Sequence, residues 1–233
     1  SAAVIRLLLG SKWVSLARAA IASLRNHLLS RTRVGIPRDC QNPESGRAVL
    51  AWLIVVGTVP AVLAGYFLES FFEGMFARPA AAAGFLLVTA TLLAASERLG
   101  RQERDLDELK WLDALVVGLG QALAILPGIS RSGATIAAAL ARGVKREPAA
   151  HFSFLLATPI ILGAGLLEVT KLVRVGGLAM EAPVLLVGFV TAAVVGYACI
   201  HVLLRYLQRG RLYVFAIYCA VFGAVCLILT TVR

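Results

Sequence analysis

The sequence predicts an all-α protein: a polytopic membrane helix bundle with about five full spans plus a re-entrant helical hairpin. Composition is the first observation. Of the 233 residues 59% are hydrophobic and 15% charged, and the mean hydropathy is +0.83. Most of the surface of such a chain must face something other than water. Length is the second, because charge-free apolar runs at 48–68, 79–96, 182–204 and 212–232 each approach the ~20 residues that a helix needs to cross hydrocarbon. The third is a polar interruption, Pro127-Gly-Ile-Ser-Arg-Ser-Gly-Ala-Thr135, between two further apolar stretches.

Taken in order, residues 1–47 are expected to form a basic interfacial arm and linker, and 48–233 the membrane domain. Over 1–33 the apolar Leu7, Leu8, Leu9, Trp13, Leu16 and Ile21 alternate with Arg6, Lys12, Arg18, Arg25, Arg31 and Arg33. Cations this frequent disfavour a span and predict a helix lying flat at the head groups. Pro37, Asp39, Asn42, Pro43, Ser45 and Gly46 mark 34–47 as a turn-rich linker. After the spans 48–68 and 79–96, the mixed charges from Glu97 to Lys110 read as a solvated inner loop. The runs 111–127 and 152–168 are shorter, and Asp113 and Glu168 lie at or near their ends.

The run 111–127 would reach ~25 Å as a helix, whereas 133–144 would reach only ~18 Å. The second piece cannot span, and Arg142, Lys145 and Arg146 return the chain to the side it came from. Residues 111–144 are therefore predicted to be the re-entrant hairpin, whose non-helical tip must be buried in protein or line an aqueous cavity. A fainter signal is an internal echo. Pro60-Ala-Val-Leu-Ala-Gly-Tyr-Phe-Leu-Glu69 aligns with Pro159-Ile-Ile-Leu-Gly-Ala-Gly-Leu-Leu-Glu168, as in duplicated transporter-like folds, and chance resemblance of apolar segments carries equal weight.

The net charge of +10 could suggest a nucleic-acid partner, but its distribution points elsewhere. With residues 1–47 inside, the inner segments 1–47, 97–110, 142–147 and 205–211 hold 18 Lys/Arg and the outer segments hold four. This is a positive-inside pattern, and no nucleic acid is needed to explain it. Cys40, Cys199, Cys219 and Cys226 lack metal-ligand spacing and read as small core hydrophobes. His201, inside an apolar run, is expected to hydrogen-bond to a neighbouring helix.

The tip of the hairpin carries the chemistry. Pro127 and the glycines stop one helix and allow the next to begin, and that start offers free backbone N–H groups and positive dipole character with Arg131 beside it. Arg131 is suited to grip two phosphate oxygens through its guanidinium, with hydroxyls from Ser130, Ser132 and Thr135 within about one turn. An arginine at membrane depth is a functional-site hypothesis by default. A structural alternative has equal standing on these residues: Ser132 caps the helix and Arg131 pairs with Asp113 or Glu168.

Gln121-Ala-Leu-Ala-Ile-Leu-Pro-Gly-Ile-Ser-Arg-Ser-Gly-Ala-Thr135, followed by Phe152-Ser-Phe-Leu-Leu-Ala-Thr-Pro159, resembles the bacterial undecaprenyl pyrophosphate phosphatase family, the membrane phosphatases linked to bacitracin resistance. Gly57-Thr-Val-Pro-Ala-Val-Leu-Ala-Gly65 and Asp113-Ala-Leu115 extend the likeness over roughly 48–232. The resemblance implies hydrolysis of undecaprenyl diphosphate to the monophosphate carrier of peptidoglycan synthesis, in the bacterial inner (plasma) membrane, with a divalent cation such as Mg or Ca. It makes Ser130, Arg131 and Thr135 the expected catalytic residues and Gln121, Gly128, Ser132 and Gly133 the expected substrate-binding ones. The partners it implies are a polyprenyl diphosphate lipid and the membrane; a homodimer is left open.

The family also carries an amino-terminal hairpin with a Glu-x-x-x-Glu pair and a Pro-Val-Ser-Ser-Thr-Gly-His string; no Ser-Ser-Thr-Gly-His occurs in these 233 residues, and the one Glu-x-x-x-Glu spacing, Glu69 to Glu73, follows the first apolar run rather than preceding it. The start is accordingly expected to be truncated, and no metal ligands are assigned. His27 and His151 are expected to be ordinary polar residues. Without an acidic pair or a histidine near the motif, this chain is expected to release phosphate barely above background, since general acid–base catalysis alone is worth about 10²- to 10⁴-fold. A polyprenyl-phosphate binding or translocating protein is the alternative reading.

The charge asymmetry places the amino terminus inside and the carboxyl terminus outside. In a cysteine-free background, a cysteine replacing Gly74 should react with an impermeant reagent from outside, and one replacing Glu103 should be protected. The reverse pattern would overturn the topology.

Overall fold

The computed structural model describes residues 43–76, 78–100, 102–175, 178–208 and 210–232. The expected arm therefore lies almost wholly outside the described residues. The elements are α1 (Pro43–Phe67), α2 (Glu69–Phe76), α3 (Pro79–Leu99), a 3-10 turn (Leu106–Glu108), α4 (Trp111–Leu123), α5 (Arg131–Ala141), α6 (Arg146–Val175), α7 (Leu178–Leu207) and α8 (Tyr213–Thr231). Five segments are long and apolar enough to cross a membrane: Ala48–Phe67, Pro79–Arg98, Arg146–Arg174, Ala182–Leu207 and Tyr213–Thr231. The all-α bundle of five spans is thus as the sequence predicts. Helix α1 starts at Pro43, inside the expected linker, where a proline's missing N–H costs nothing. The short α2 occupies the expected outer loop. Both prolines of the internal echo, Pro60 and Pro159, sit inside long helices.

The described residues fall into two compact units. One comprises Val56–Ile160 with Leu204–Arg233, and the other the described residues before it with Ile161–Leu203. The first unit holds the motif. Its apolar core contains Val117, Leu140, Val144, Phe152 and Leu156, all fully buried. Helices α4 and α5 form a helix–turn–helix of 13 and 11 residues, or ~20 and ~17 Å, so neither arm spans alone. They pack against each other, α5 packs against α3, and α3 against α8.

Close backbone approaches set this packing. A Cβ on Gly118 would lie 2.3 Å from the Gly57 carbonyl oxygen, and one on Gly57 would lie 2.9 Å from the Ala114 carbonyl oxygen. The α1–α4 crossing is therefore closed to any side chain at these two positions. Gly223 similarly lets α8 settle on Ala83 and Leu86 of α3. In lipid, where helices gain little from hydrophobic association, small-residue contacts of this kind are a main source of packing energy.

The open end of the hairpin is stitched shut. Gly143, at φ +82°, turns the chain so that its carbonyl accepts from the N–H groups of Glu103 and Arg104, and Lys145 N–H donates back to the Arg104 carbonyl. Beside this contact sits Asp113, fully buried at the start of α4. Its Oδ2 accepts from Arg104 (2.7 Å) and from the Lys110 backbone N–H (3.0 Å), and its Oδ1 accepts from Arg142 Nε (2.7 Å) at the end of α5. Lys145 pairs with Asp105 at 2.5 Å, and Arg146 forks onto the buried Glu97. The segment 97–110 is thus not the simple solvated loop that its charge suggests: Glu97 and Arg104 point into ion pairs that close the hairpin.

Burial acts to raise the Asp113 carboxyl, but hydrogen bonds from Arg104, the Lys110 N–H and Arg142 outweigh it and hold the group below the usual carboxylate range. A lowered folded-state pKa contributes stability above the unfolded value, and that contribution is lost as pH falls through the folded one. Asp113→Asn should cost on the order of 2–4 kcal/mol, because it leaves two arginines without their carboxylate. The lower half applies if water reaches them, since their side chains are 28% and 42% exposed. The variant should also flatten the loss of stability below the carboxylate range. Thermal unfolding across pH checks both effects, and an unchanged Tm would contradict the clamp.

Candidate active site

The tip is built from a turn that only glycine can make. Gly128 has φ +92°, and a Cβ there would lie 2.0 Å from the Ala82 carbonyl oxygen, so both conformation and space require glycine. Ser130 is the N-cap of α5: its backbone is extended, and its hydroxyl accepts the Gly133 N–H at 3.2 Å. The Ser130 N–H donates to Thr89 Oγ1 on α3 at 3.2 Å. Of the four N–H groups that a helix start leaves orphaned, those of Arg131 and Ser132 have no hydrogen-bond partner among the described residues. They mark the positive end of the α5 dipole.

Ser130, Arg131 and Ser132 are partly exposed, whereas Gly133 and Thr135 are buried. The two serine hydroxyls lie 3.5 Å apart. Among the described residues Arg131 has no carboxylate partner. The two acids that the structural alternative offered it are taken: Asp113 holds Arg104 and Arg142, and Glu168 pairs with Lys171 at 2.9 Å. Among the described residues the Arg131 guanidinium is thus left free for an anion, beside two free N–H groups and two hydroxyls.

Thr135 stands apart from that exposed set. Its hydroxyl donates to the Arg131 carbonyl at 2.7 Å and lies 2.6 Å from Ser153 Oγ on α6, with neither residue open to solvent. Gln121 is 2% exposed, and neither its amide oxygen nor its nitrogen has a hydrogen-bond partner among the described residues. Leaving both ends of a buried amide unmatched costs about 1–3 kcal/mol for each. Gly118 of α4 and Ile125 of the turn after it come close to Gly57 and Gly65 of α1.

Sequence reading missed Thr89 and Ser153 as partners of the motif, and the available signal was weak: each is a hydroxyl residue within an apolar run. Cys219 is buried as expected, but Cys199 is exposed. His201 stacks on Tyr197, with centroids 6.1 Å apart. His151 lies 3.8 Å from Glu147 on the same helix. These two line a cavity of about 570 Å³ with Gln102, Asp105, Lys145 and Gln208. None of the tip residues lines it, and its ionic groups answer one another: Asp105 with Lys145, and Glu147 with the Gln208 amide at 3.1 Å. The tip is the better candidate because its donors are unanswered.

A divalent cation does not fit the residues described. Among them no three His, Cys, Asp or Glu side chains converge, and the buried carboxylates of Asp113 and Glu97 are neutralised by arginines. No metal-dependent step is derived from them.

Comparison with known proteins gives a consistent result. The family model described as bacitracin resistance protein BacA matches residues 3–225. An undecaprenyl-diphosphatase of Halothermothrix orenii is 42% identical over 180 residues, covering 77% of this chain and 70% of that protein. One of Geobacter metallireducens is 46% identical, covering 78% and 68%. One of Methanothermobacter thermautotrophicus is 44% identical over 174 residues, covering 73% of this chain and 95% of its own length.

Proposed function

The chain belongs to the bacitracin resistance protein BacA family, and on that premise we infer that it is a multi-pass membrane undecaprenyl-diphosphatase, a hydrolase that converts undecaprenyl diphosphate to undecaprenyl phosphate. Water adds its oxygen to the terminal phosphorus, the anhydride P–O bond breaks, and the bridging oxygen leaves with the lipid monophosphate. The observation that carries the assignment of the site is Arg131 at the start of α5, without a carboxylate partner among the described residues and beside N–H groups unpartnered among them.

In this reading the terminal phosphate sits at the start of α5. Arg131 takes two of its oxygens, the Arg131 and Ser132 N–H groups face it, and the Ser130 and Ser132 hydroxyls donate to it. These donors stand ready before the reaction, so charge that spreads over the phosphoryl oxygens in the transition state meets dipoles that need no reorganisation. Gln121, whose buried amide is unmatched, would bind a polar part of the diphosphate or water held with it. Thr135 would serve by fixing the Arg131 carbonyl, and with it the first turn of α5. The divalent cation that the family resemblance implies would supply Lewis-acid charge stabilisation when bound. We place the protein in the bacterial inner membrane, which suits the positive-inside asymmetry and the lipid substrate.

Farnesyl diphosphate with purified protein in detergent tests this. Slow phosphate release above a protein-free control is expected, and Arg131→Ala should remove it. Arg131→Lys keeps the charge but loses the fork, so diphosphate affinity should fall roughly 10- to 100-fold. Equal binding by wild type, Arg131→Lys and Arg131→Ala would sink the site. Binding that depends on Arg131 without any release in wild type would support the lipid-binding alternative.

A further inference from the structure

We propose that Thr89, on span α3, is a positioning residue for this reaction: its buried hydroxyl bridges the two ends of the Gly128–Ser130 turn and so sets the direction in which α5 presents Arg131. The inference rests on the site proposed above. Thr89 is fully buried, and its Oγ1 lies 3.3 Å from the Gly128 carbonyl oxygen, 3.2 Å from the Ser130 nitrogen and 3.2 Å from the Phe85 carbonyl oxygen of its own helix. A hydroxyl has one proton and two lone pairs. Accepting from Ser130 N–H leaves the proton to be shared between the two carbonyls. Thr89 thereby satisfies the N–H of the α5 N-cap, which a helix start otherwise leaves without a partner.

The same helix touches the turn at a second point. Gly128 approaches the Ala82 carbonyl so closely that a Cβ would lie 2.0 Å from it, and Ala82 precedes Thr89 by seven residues, two turns along one face. The Thr89 methyl completes the fit, standing 3.2 Å from where a Gly133 Cβ would be. Helix α3 in turn rests on α8 through Gly223. The turn is thus referenced to a spanning helix rather than only to the arm that precedes it. Because α5 begins at the next residue, a small rotation at Ser130 swings the Arg131 side chain and its N–H together. Misplacement of that size weakens a bidentate contact and costs rate without removing any group that touches substrate.

The test uses Thr89→Val, which keeps the branched shape and deletes the hydroxyl, and Thr89→Ser, which keeps the hydroxyl and deletes the methyl. Farnesyl diphosphate affinity and phosphate release are measured on the full chain, with Tm recorded for each variant and Arg131→Ala alongside. Thr89→Val should lose roughly tenfold in affinity or release, and Thr89→Ser should recover to within about threefold of wild type. That rescue would not be produced by a role in packing alone. If Thr89→Val folds and matches wild type while Arg131→Ala fails to bind, the positioning role is overturned and the site stands. If Thr89→Ser is as impaired as Thr89→Val, the hydroxyl is not the operative group and the role is likewise overturned. If Arg131→Ala binds as wild type does, the site itself fails.

Discussion

The described hairpin depends on one buried carboxylate. Asp113 receives Arg104 from the preceding segment and Arg142 from the end of α5, so a single side chain ties the entrance of the hairpin to its exit. Removing a carboxylate from water is costly, and the three donors around it are what make its burial tolerable. The clamp also decides the electrostatics at the other end. With Asp113 engaged by two guanidiniums and Glu97 by Arg146, the buried carboxylates of the described residues are committed to ion pairs. Arg131 is left without a counter-ion among the described residues, which suits the phosphate site proposed at that helix start.

Backbone geometry carries this arrangement to the tip. Glycines at 57 and 118 bring α1 against α4, Gly120 lets α4 approach the Ala134 carbonyl of α5, and Gly128 lets the turn lie against α3. Small residues and ion pairs thus fix the hairpin and Ser130 caps α5, while Arg131 has no ion pair among the described residues. The two neighbouring hydroxyls, Thr89 and Ser153, attach the start of α5 to α3 and to α6 at successive turns. Such attachment fits electrostatic catalysis, in which donors help to the extent that they are already aimed.

Much of this was legible in the sequence. The five spans follow from apolar length, and the helix–turn–helix over 111–144 follows from two short runs with Pro127 and Gly128 between them. The sequence offered Ser132 as the cap, whereas the cap is Ser130 and α5 starts two residues earlier than its apolar run, at Arg131. What could not be read were partners far apart in the chain. The loop 97–110 looked solvated because charge density usually means water, yet Arg104 reaches Asp113 and Glu97 reaches Arg146, 49 residues away. Thr89 carried no periodic signal, because a lone threonine in an apolar span is compatible with a bond to its own helix, and it makes that bond too. The choice between a structural and a phosphate-binding Arg131 was balanced on sequence, and the engagement of Asp113 by Arg104 and Arg142 supports the proposed phosphate site.

The most direct measurement follows the arginine side chains themselves. With guanidinium-labelled protein, each Arg Nε–H resonance is assigned by single substitution and inorganic pyrophosphate is titrated in. The Arg131 signal should move and saturate, while those of Arg104, Arg142 and Arg146 hold still in their carboxylate pairs. A stationary Arg131, or movement confined to Arg104 and Arg142, would contradict the account, since the anion would then be competing for Asp113's partners at the base rather than binding at the tip.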